Sequence, residues 1–450
     1  MSIPLLTAIG DPAVEGALVA AFDRPSLGVT VVRRCVDVAD LLAAAATGTA
    51  RAAVVSSDLR RLDRDVLARL SAAGVAVVAL APAGDEGAER WLRQIGAHHV
   101  VAASASPSEV AQLLVVAAGE RAGEGGGLDY ADPLGVLPDD DARTDDGAAP
   151  GDDPLAGMPA DEGRVVAVWG AAGAPGRTTV ALTLADELAR LDVPTMLIDA
   201  DAYGGAIAQV LGMLEESPGI AAACRMANTG SLDAAALARL ARTLTPRLRV
   251  LTGITRADRW PELRPSGVEH VLAVARRMAA CTVVDCGFSL EQDEELVYDT
   301  MAPRRNGATL TSLARADLVL AVVAADPIGV QRFIRALPDL REATDAPIAV
   351  VVNKVRGIVV PGDPQAEIAA ALQRYAGVSP VAFVPYDRSG CDRAVAGGQP
   401  LAAAAASSPA RVALQRLART FLADEQARGG KSRRRPAPDR SRRSRARSAR

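Results

Sequence analysis

The chain has 450 residues, a length that suits two or three domains. Hydrophobic residues make up 49% of it but aromatic residues only 3%, which is typical of α/β cores built from alanine, valine and leucine. The formal net charge is −4 at pH 7, and no apolar run approaches the ~20 residues of a membrane-spanning helix. These properties exclude a transmembrane protein.

The five cysteines predict a reducing compartment, because their number is odd and their spacing shows no metal-type pairs. The N-terminus lacks the basic region and apolar core of a signal peptide. We therefore expect a cytoplasmic protein, with any membrane contact peripheral and at the inner face of the cell membrane.

Residues 1–120 alternate five apolar runs with amphipathic stretches. This alternation predicts a parallel, doubly wound α/β domain, because each strand is followed by a helix that can pack on the sheet. A Gly96-Ala97 pair leads into the last run. The arrangement resembles the receiver domain of two-component response regulators. The runs are Pro4–Ile9, Val29–Val32, Ala52–Val55, Val75–Leu80 and His99–Ala102.

The residues of receiver chemistry are missing from this domain. Receivers carry an acidic pair after the first strand, a phosphate-accepting Asp ending the third, and a hydroxyl and a Lys ending the fourth and fifth. Here only Asp11 stands near the first position, and Ser56 replaces the acceptor, with Asp58 shortly after it. Ala81 and Ala103 occupy the last two positions. The resemblance therefore implies a pseudoreceiver that serves docking or dimerisation.

Residues 121–162 differ sharply in composition from the rest of the chain. They are rich in glycine, proline and aspartate and show no apolar periodicity. Such a segment buries too little apolar surface to offset the entropy of ordering it, so we expect a disordered acidic linker. A regulatory segment that folds over a basic surface is the alternative.

The second domain, residues 163–425, is organised around residues 164–191 (RVVAVWGAAGAPGRTTVALTLADELARL). An apolar run ending at Trp169 predicts a buried strand, the turn from Gly170 to Gly176 is rich in glycine, and a helix is predicted from Arg177. This is the pattern of a phosphate-binding loop. Backbone N–H groups and the helix N-terminus hold the anion, while a Thr hydroxyl holds Mg²⁺.

Two residues depart from the usual pattern of such a loop. Ala171 stands where the first glycine is expected, and Arg177 stands in place of the lysine. Arginine binds phosphate well, but its planar fork differs from an ammonium group in length and geometry. A glycine-rich strand–helix turn that binds nothing is therefore an alternative interpretation.

Acidic residues end two further predicted strands. The first, residues 194–201, ends in Asp199 and Asp201, whose spacing places both carboxylates on one face. The second, residues 281–287, carries Asp285. Ligands of doubly wound sheets bind at the carboxyl ends of strands, where these acids can reach Mg²⁺ and water. Later strands are predicted at 316–323, 346–354 and 381–387, and a last helix at 410–423.

The order of these features resembles the MinD/ParA family of deviant-Walker P-loop ATPases. After the loop come an Asp-x-Asp strand, a strand ending in Asp285, an Ala-Asp-led strand, a Val-Val-Asn strand ending near Asn353 and a Val-Pro-x-Asp segment at 384–387. The likeness covers residues 164–423 and implies a mostly parallel P-loop NTPase sheet. With a pseudoreceiver in front, the chain resembles the CpaE/TadZ branch, whose members place pilus-assembly machinery at a cell pole.

The resemblance implies ATP and Mg²⁺ as ligands and assigns a role to each matching residue. Asp201 would orient the attacking water, Arg177 would be the catalytic cation, and Asn353 and Pro385 would border the adenine. The other residues implied to bind the nucleotide are Gly173, Ala174, Pro175, Gly176, Thr178 and Thr179. The implied metal ligands are Thr178, Asp199 and Asp285.

The chain lacks both lysines of the family's loop. Ala172 replaces the signature lysine that reaches a dimer partner's phosphates, Arg177 replaces the other, and Ala174 replaces a glycine. Arg304 and Arg305 are candidates to supply the missing charge, with a solvated basic pair as the alternative. Because Arg177 keeps one positive charge at the loop, we expect hydrolysis that is slow rather than absent.

These features predict a MinD/ParA-type ATPase of the CpaE/TadZ kind that forms a homodimer through its nucleotide face. It would position a protein partner from a pilus, secretion, septum-site or division apparatus. Two alternatives stay open: a pseudo-ATPase scaffold and a ParA-like DNA partition factor. The basic tail, residues 426–450, is predicted to be disordered; it could contact anionic lipid or nucleic acid, aid solubility or pair with the acidic linker.

Overall fold

The computed structural model describes residues 2–24, 27–123, 163–173, 175–213, 218–292, 304–357, 359 and 362–432. Residues 124–162 of the predicted linker, Ala174 and residues 433–450 of the predicted basic tail lie outside these residues. Residues 121–123 and 426–432, which were predicted to be disordered, are instead the ends of two helices. The described chain forms two α/β units, each built on its own sheet. The predicted fold class, with two doubly wound and mostly parallel sheets, is confirmed.

The first unit has five parallel strands covered by helices on both faces. Its elements are β1 (Ile3–Ala8), α1 (Pro12–Phe22), β2 (Val29–Arg34), α2 (Val38–Ala46), β3 (Ala52–Ser56), α3 (Arg64–Ala72), β4 (Ala76–Ala81), α4 (Glu86–Gln94), β5 (His99–Ala102) and α5 (Pro107–Gly123). The strand order β2-β1-β3-β4-β5 reverses direction after β1, as in receiver-like doubly wound folds. All five predicted strands are present.

The second unit has eight strands, of which only the edge strand β8 runs antiparallel to its neighbour. Its strands are β6 (Arg164–Trp169), β7 (Thr195–Ala200), β8 (Arg242–Thr245), β9 (Leu248–Leu251), β10 (Cys281–Cys286), β11 (Leu318–Ala324), β12 (Ile348–Val355) and β13 (Pro380–Pro385). They lie in the order β13-β12-β11-β6-β10-β7-β9-β8. The chain leaves β6 and returns at β7 on the far side of β10, so the loop after β6 lies at the point where the strand order reverses. Ligands of such sheets bind there.

The helices of the second unit cover both faces of its sheet. They are α6 (Arg177–Arg190), α7 (Ile207–Val210), α8 (Gly219–Asn228), α9 (Ala234–Leu240), α10 (Pro265–Met278), α11 (Gly307–Ala314), α12 (Pro327–Ala343), α13 (Pro364–Ala376), α14 (Arg388–Gly397), α15 (Leu401–Ala404) and α16 (Pro409–Ser432), with a short 3₁₀ helix at Ala257–Glu262. Alternate residues of β6 enter opposite cores: Val165 and Trp169 pack on one face, Val166 and Val168 on the other. The central strand is thus buried on both faces, which explains its continuous apolar run.

The cysteines of the sheet follow the same alternation. Cys281 and Cys286 lie on β10 and belong to opposite cores. All five cysteines of the chain are free thiols, and four of them are buried.

The two units meet where α3 packs against α8 and α10, a contact called here the seam. The Arg64 guanidinium donates to the carbonyl oxygens of Gln94 and Ala227, near the C-terminal ends of a helix from each unit. Arg264, the N-cap residue of α10, lies 3.3 Å from the carboxylate of Asp63 and 3.6 Å from that of Asp65. A cation is favoured at helix C-termini because carbonyl groups there lack intrahelical partners.

The last helix, α16, packs along α6 and β13. Its predicted end was near Ala423, but the helix continues to Ser432. Glu187 of α6 is fully buried and accepts hydrogen bonds from Arg411 Nε at 2.6 Å and Gln415 Nε2 at 3.1 Å. No helix among the described residues is both long and apolar enough to cross a bilayer.

Candidate functional site

The glycine-rich loop between β6 and α6 depends on glycine at several positions. Gly173 and Gly176 have φ angles of 110° and 99°, which disfavour other residues. A Cβ at Gly170 would lie 2.5 Å from the carbonyl oxygen of Val322, and one at Gly176 would lie 2.3 Å from the side-chain nitrogen of Asn353. The loop is therefore packed tightly against β11 and β12 while α6 begins directly after it.

Arg177 is held inside the site. Its Nε donates to the carbonyl oxygen of Cys286 at 3.1 Å, and its Nη1 donates to that of Gly170, also at 3.1 Å. Nη2 lies 3.5 Å from Oδ2 of Asp201. The guanidinium thus links the loop to the ends of β7 and β10, and three of its nitrogens already face acceptors.

Asp201 follows β7 and is largely buried. Its Oδ1 accepts the backbone N–H of Tyr203 at 2.8 Å, and its Oδ2 faces Arg177. The carboxylate lies close to the loop and pairs with Arg177, the residue that was predicted as its catalytic partner.

Asp199 is enclosed by backbone. Its Oδ1 accepts the N–H of Asp201 at 3.3 Å and its Oδ2 that of Ile207 at 3.1 Å. A Cβ at Gly205 or Gly253 would come within 3 Å of this carboxylate. Burial raises the pKa of Asp199 to about 7. The side chain therefore organises the turn that leads from β7 to α7.

Asp285 differs from the other two acids. Both of its carboxylate oxygens are buried and accept no hydrogen bond from the described residues. Burial, followed by the nearby charge of Asp199, raises its pKa well above the usual range. The Thr178 hydroxyl lies on this side of the loop and lowers that pKa, without reaching hydrogen-bond geometry. A buried carboxylate without a partner is costly unless a cation neutralises it.

The β12 side of the loop carries a second set of contacts. Asn353 at the end of β12 is buried, and its Nδ2 donates to the carbonyl oxygen of Pro175 at 2.7 Å. The next residue, Lys354, has a left-handed φ of 63°, and its Cε lies 3.9 Å from the Cβ position of Gly176. Pro385 ends the neighbouring strand β13 and pairs with Val355. Asn353 thus braces the loop from the side predicted for adenine.

The β11 side holds a cation that the sequence did not single out. Arg332 of α12 donates from Nη1 to the carbonyl oxygen of Ala172 at 3.2 Å. A Cβ at Gly173 would lie only 2.3 Å from the same nitrogen. Between the loop and α12 lies a cavity of about 230 Å³, lined by residues that include Ala171, Gly173, Asp326 and Arg332. No local motif marks Arg332, because it lies 160 positions beyond the residue it contacts.

Aromatic side chains join the ends of β7 and β10. The rings of Tyr203 and Phe288 have centroids 4.7 Å apart. Arg305 lies over Tyr203 at 4.3 Å, and Arg177 lies 5.9 Å from the Phe288 centroid. Nε of Arg305 is buried and has no hydrogen-bond partner among the described residues. Arg305, a sequence-based candidate for additional charge, is thus brought near the site, whereas Arg304 is exposed.

The loop after β6 therefore collects the residues of several predicted elements. Thr178 and Thr179 lie in the first turn of α6, with Asp199, Asp201 and Asp285 on the neighbouring strand ends. Among the described residues, no three His, Cys, Asp or Glu side chains are arranged to hold a metal ion by themselves. A P-loop metal needs fewer protein ligands, because Mg²⁺ keeps waters and takes phosphate oxygens.

No family model matches the chain, and no curated protein matches it. Among solved structures, it is similar to the cell division ATPase MinD of Pyrococcus furiosus, with 18% identity, coverage of 58% of this chain and 98% of that chain, and a TM-score of 0.45. It is also similar to the septum site-determining protein MinD of Pyrococcus horikoshii OT3, which was solved with Mg-ADP (16% identity, 57% and 95% coverage, TM-score 0.46). A third similar structure is a ParA family ATPase from Chlorobium tepidum TLS, with 16% identity, coverage of 57% of this chain and 98% of that chain, and a TM-score of 0.46.

Proposed function

We propose that the second unit binds ATP with Mg²⁺ at the glycine-rich loop, as a MinD/ParA-type protein. The observation that carries the proposal is Asp285. It lies near the end of the strand next to β6, its buried oxygens have no hydrogen-bond partner among the described residues, and a loop with two left-handed glycines and a helix N-terminus lies beside it. A divalent cation would balance the charge of this carboxylate, and phosphates would accept hydrogen bonds from the N–H groups of the loop and the helix N-terminus.

The donor set fits Mg²⁺, whose preferred ligands are oxygens. Thr178 and Asp285 are the residues that we assign to the metal, directly or through its waters. Asp199 was also predicted to be a ligand, but both of its oxygens already accept backbone N–H groups. We therefore give Asp199 the role of holding the β7 turn in place. Bound Mg²⁺ supplies charge stabilisation for phosphate oxygens.

The contacts of Arg177 favour slow turnover. Asp201 is placed to orient water at the loop, but its Oδ2 faces Arg177, and the guanidinium also donates to two carbonyl oxygens. These contacts occupy three nitrogens of Arg177 and one oxygen of Asp201, so fewer of their donors and acceptors remain for a phosphate and a water. This pairing is also the specific observation that favours the second candidate function, a nucleotide-binding scaffold without turnover.

We further propose that the protein belongs to the CpaE/TadZ kind and positions a partner apparatus as an ATP-dependent homodimer. This assignment rests on the residue pattern of the loop and strands and on the first unit, whose strand order is receiver-like and which lacks an acceptor aspartate. A pilus, secretion or division apparatus is the proposed class of partner. The basic tail is proposed to make peripheral contact with anionic lipid or nucleic acid.

The test is calorimetric titration of the full chain with ATP, with and without Mg²⁺, for the wild type, Asp285→Asn and Asp201→Ala. We expect Mg²⁺ to tighten binding in the wild type and in Asp201→Ala but not in Asp285→Asn. Loss of the metal contact should cost about 10-fold or more in affinity, because hydrogen bonds and contacts to charged groups are worth about 1.5–3 kcal/mol.

Phosphate release from the same samples separates the two candidate functions. Release by the wild type above the Asp201→Ala level identifies an ATPase, whereas binding without such release identifies the scaffold. Absence of ATP binding by the wild type with Mg²⁺ would overturn both.

A further inference from the structure

The loop after β6 meets cations on three sides, and they differ in how fully they are engaged. Arg177 on the β10 side contacts two carbonyl oxygens and a carboxylate. Lys354 lies on the β12 side. Arg332 approaches from α12 on the β11 side, and within the described residues it makes a single hydrogen bond, to Ala172. An arginine has five N–H donors in a planar fork, so most of the donors of Arg332 stay available.

The loop is shaped so that this guanidinium can lie against it. The Cβ position of residue 173 lies 2.3 Å from Nη1 of Arg332, so the guanidinium lies directly over this glycine. The φ of 110° is what favours glycine here, and the absence of a side chain leaves the space that the guanidinium occupies. The cavity of about 230 Å³ beside it is open toward the same guanidinium and has Ala171 and Ala172, rather than larger side chains, along the loop.

No carboxylate of the described residues pairs with the Arg332 guanidinium, so it can bind an anion. Asp326 is the acidic residue of the cavity wall, and its Oδ1 accepts the N–H of Gly329 as the N-cap of α12. Arg332 makes no ion pair with a described carboxylate within 4.0 Å. Because the side chain is long and exposed, its fork can move from the Ala172 carbonyl to a nearby phosphate without breaking a buried contact.

We propose that Arg332 is a phosphate-binding residue of the loop, and that it supplies from α12 the positive charge that Ala172 and the engaged Arg177 do not. The proposal rests on the proposed nucleotide site and adds a residue to it. The guanidinium exchanges its bond to Ala172 for bonds to the terminal phosphate of a nucleotide held on the same chain. Bidentate contact of this kind is what the arginine fork favours.

The experiment measures the affinity of the full chain for ATP, ADP and AMP with Mg²⁺, for the wild type, Arg332→Ala and Arg335→Ala. Arg335 lies on the same helix, is exposed and makes no described contact with the loop, so it is the matched control. We expect Arg332→Ala to weaken ATP binding by about 10- to 100-fold, with a smaller loss for ADP and none for AMP. Arg335→Ala should bind all three as the wild type does.

The pattern over the three nucleotides distinguishes a phosphate contact from a structural role. If Arg332 only supported the loop, affinity for AMP and ATP would fall together and the midpoint of thermal unfolding without nucleotide would drop; that result overturns the proposal. Equal affinities for Arg332→Ala and Arg335→Ala overturn it as well. If the wild type itself binds no nucleotide, the proposed function fails, which is a different result from the failure of Arg332 alone.

Discussion

The two units carry sheets of similar construction, but the carboxyl ends of their strands differ in chemistry. In the first unit the polar groups there satisfy one another. Ser56 donates to Asp58 and accepts the N–H of Gly10 at 2.9 Å, and Asp11 caps α1. In the second unit Asp285 is left buried without a hydrogen-bond partner among the described residues.

This difference shows that the fold alone does not make a ligand site. The parallel sheet and its covering helices place the strand ends together in both units, whatever residues stand there. A site additionally needs groups that the protein leaves unsatisfied at a cost in stability. By that criterion the second unit holds a candidate ligand site, and the first has the same architecture with its polar groups already paired.

The largest effect expected from a single titrating group is at the seam. Burial, helped by the guanidinium of Arg64, lowers the pKa of His270 to about 4, and its Nε2 contacts the Leu232 carbonyl oxygen. Arg277 on the same helix acts in the same direction. The unfolded chain takes up a proton near pH 6.5 and the folded one does not, so stability should fall between pH 6.5 and 4, by on the order of 3 kcal/mol.

Urea unfolding across this pH range measures the effect, with His270→Gln as the control. Glutamine can donate to the Leu232 carbonyl but does not titrate. The difference between the two proteins should therefore be constant above pH 6.5 and change below it; parallel curves over the whole range would contradict the prediction.

A second prediction tests the carboxyl ends of the strands in the second sheet, where Asp285 has no hydrogen-bond partner among the described residues. In Mg²⁺-free buffer, Asp285→Asn should raise the free energy of unfolding by about 1–3 kcal/mol, because it removes a buried acid without a partner that faces Asp199. Asp317→Asn is the matched comparison. Asp317 accepts the N–H of Val165 and pairs with Arg276, both at 2.7 Å, so its loss should destabilise the protein. Effects of the same sign in both variants would refute the distinction.

The third prediction introduces an unpaired carboxylate at the carboxyl ends of the strands in the first sheet, where the polar groups are otherwise hydrogen-bonded to one another. Ser56→Asp removes a donor and places a buried carboxylate beside that of the exposed Asp58, so stability should fall by about 1–2 kcal/mol. Added Mg²⁺ should restore part of the loss. Ser57→Asp, at a half-buried neighbour, serves as the control in the same chemical denaturation assay. If Ser56→Asp without metal were as stable as the wild type, the strand ends of the first sheet would tolerate an unpaired charge, and the prediction would be wrong.

The smallest effect is expected for the ion pairs of the seam. Arg264→Ala should cost at most about 1 kcal/mol, because the arginine is largely exposed and its pairs with Asp63 and Asp65 are screened by solvent. The difference from the wild type should vanish in about 1 M salt. A larger or salt-independent loss would show that the seam relies on these charges more than on packing.

Much of this fold could be predicted because its strands are short apolar runs bounded by polar turns. The five runs of residues 1–120 and the strands at β6, β7 and β10 to β13 correspond to predicted segments. The hairpin of β8 and β9 was not predicted. β9 has four residues and includes Arg249, so its apolar pattern is too short to stand out, and its place depends on pairing with β7.

The candidate site was predictable where its residues follow one another in sequence and not where tertiary contacts bring them in. The i, i+2 acids and Asp285 end adjacent strands, so the sheet alone brings them to the loop. Three hydrogen bonds at the site join residues more than 100 positions apart: Arg177 to Cys286, Asn353 to Pro175 and Arg332 to Ala172. Only the bond from Arg177 to Gly170 is local. No pattern in the sequence encodes such geometry.

The buried pair between Glu187 and Arg411 has a practical consequence for engineering the chain. A truncation before Pro409 would remove Arg411 and Gln415, which hold the buried carboxylate of Glu187, together with the helix that covers this side of α6. Deletion of the basic tail should therefore start after α16, and a fluorescent fusion is best joined beyond Ser432. Anything attached there continues directly from the helix that packs along α6, which itself begins at the glycine-rich loop.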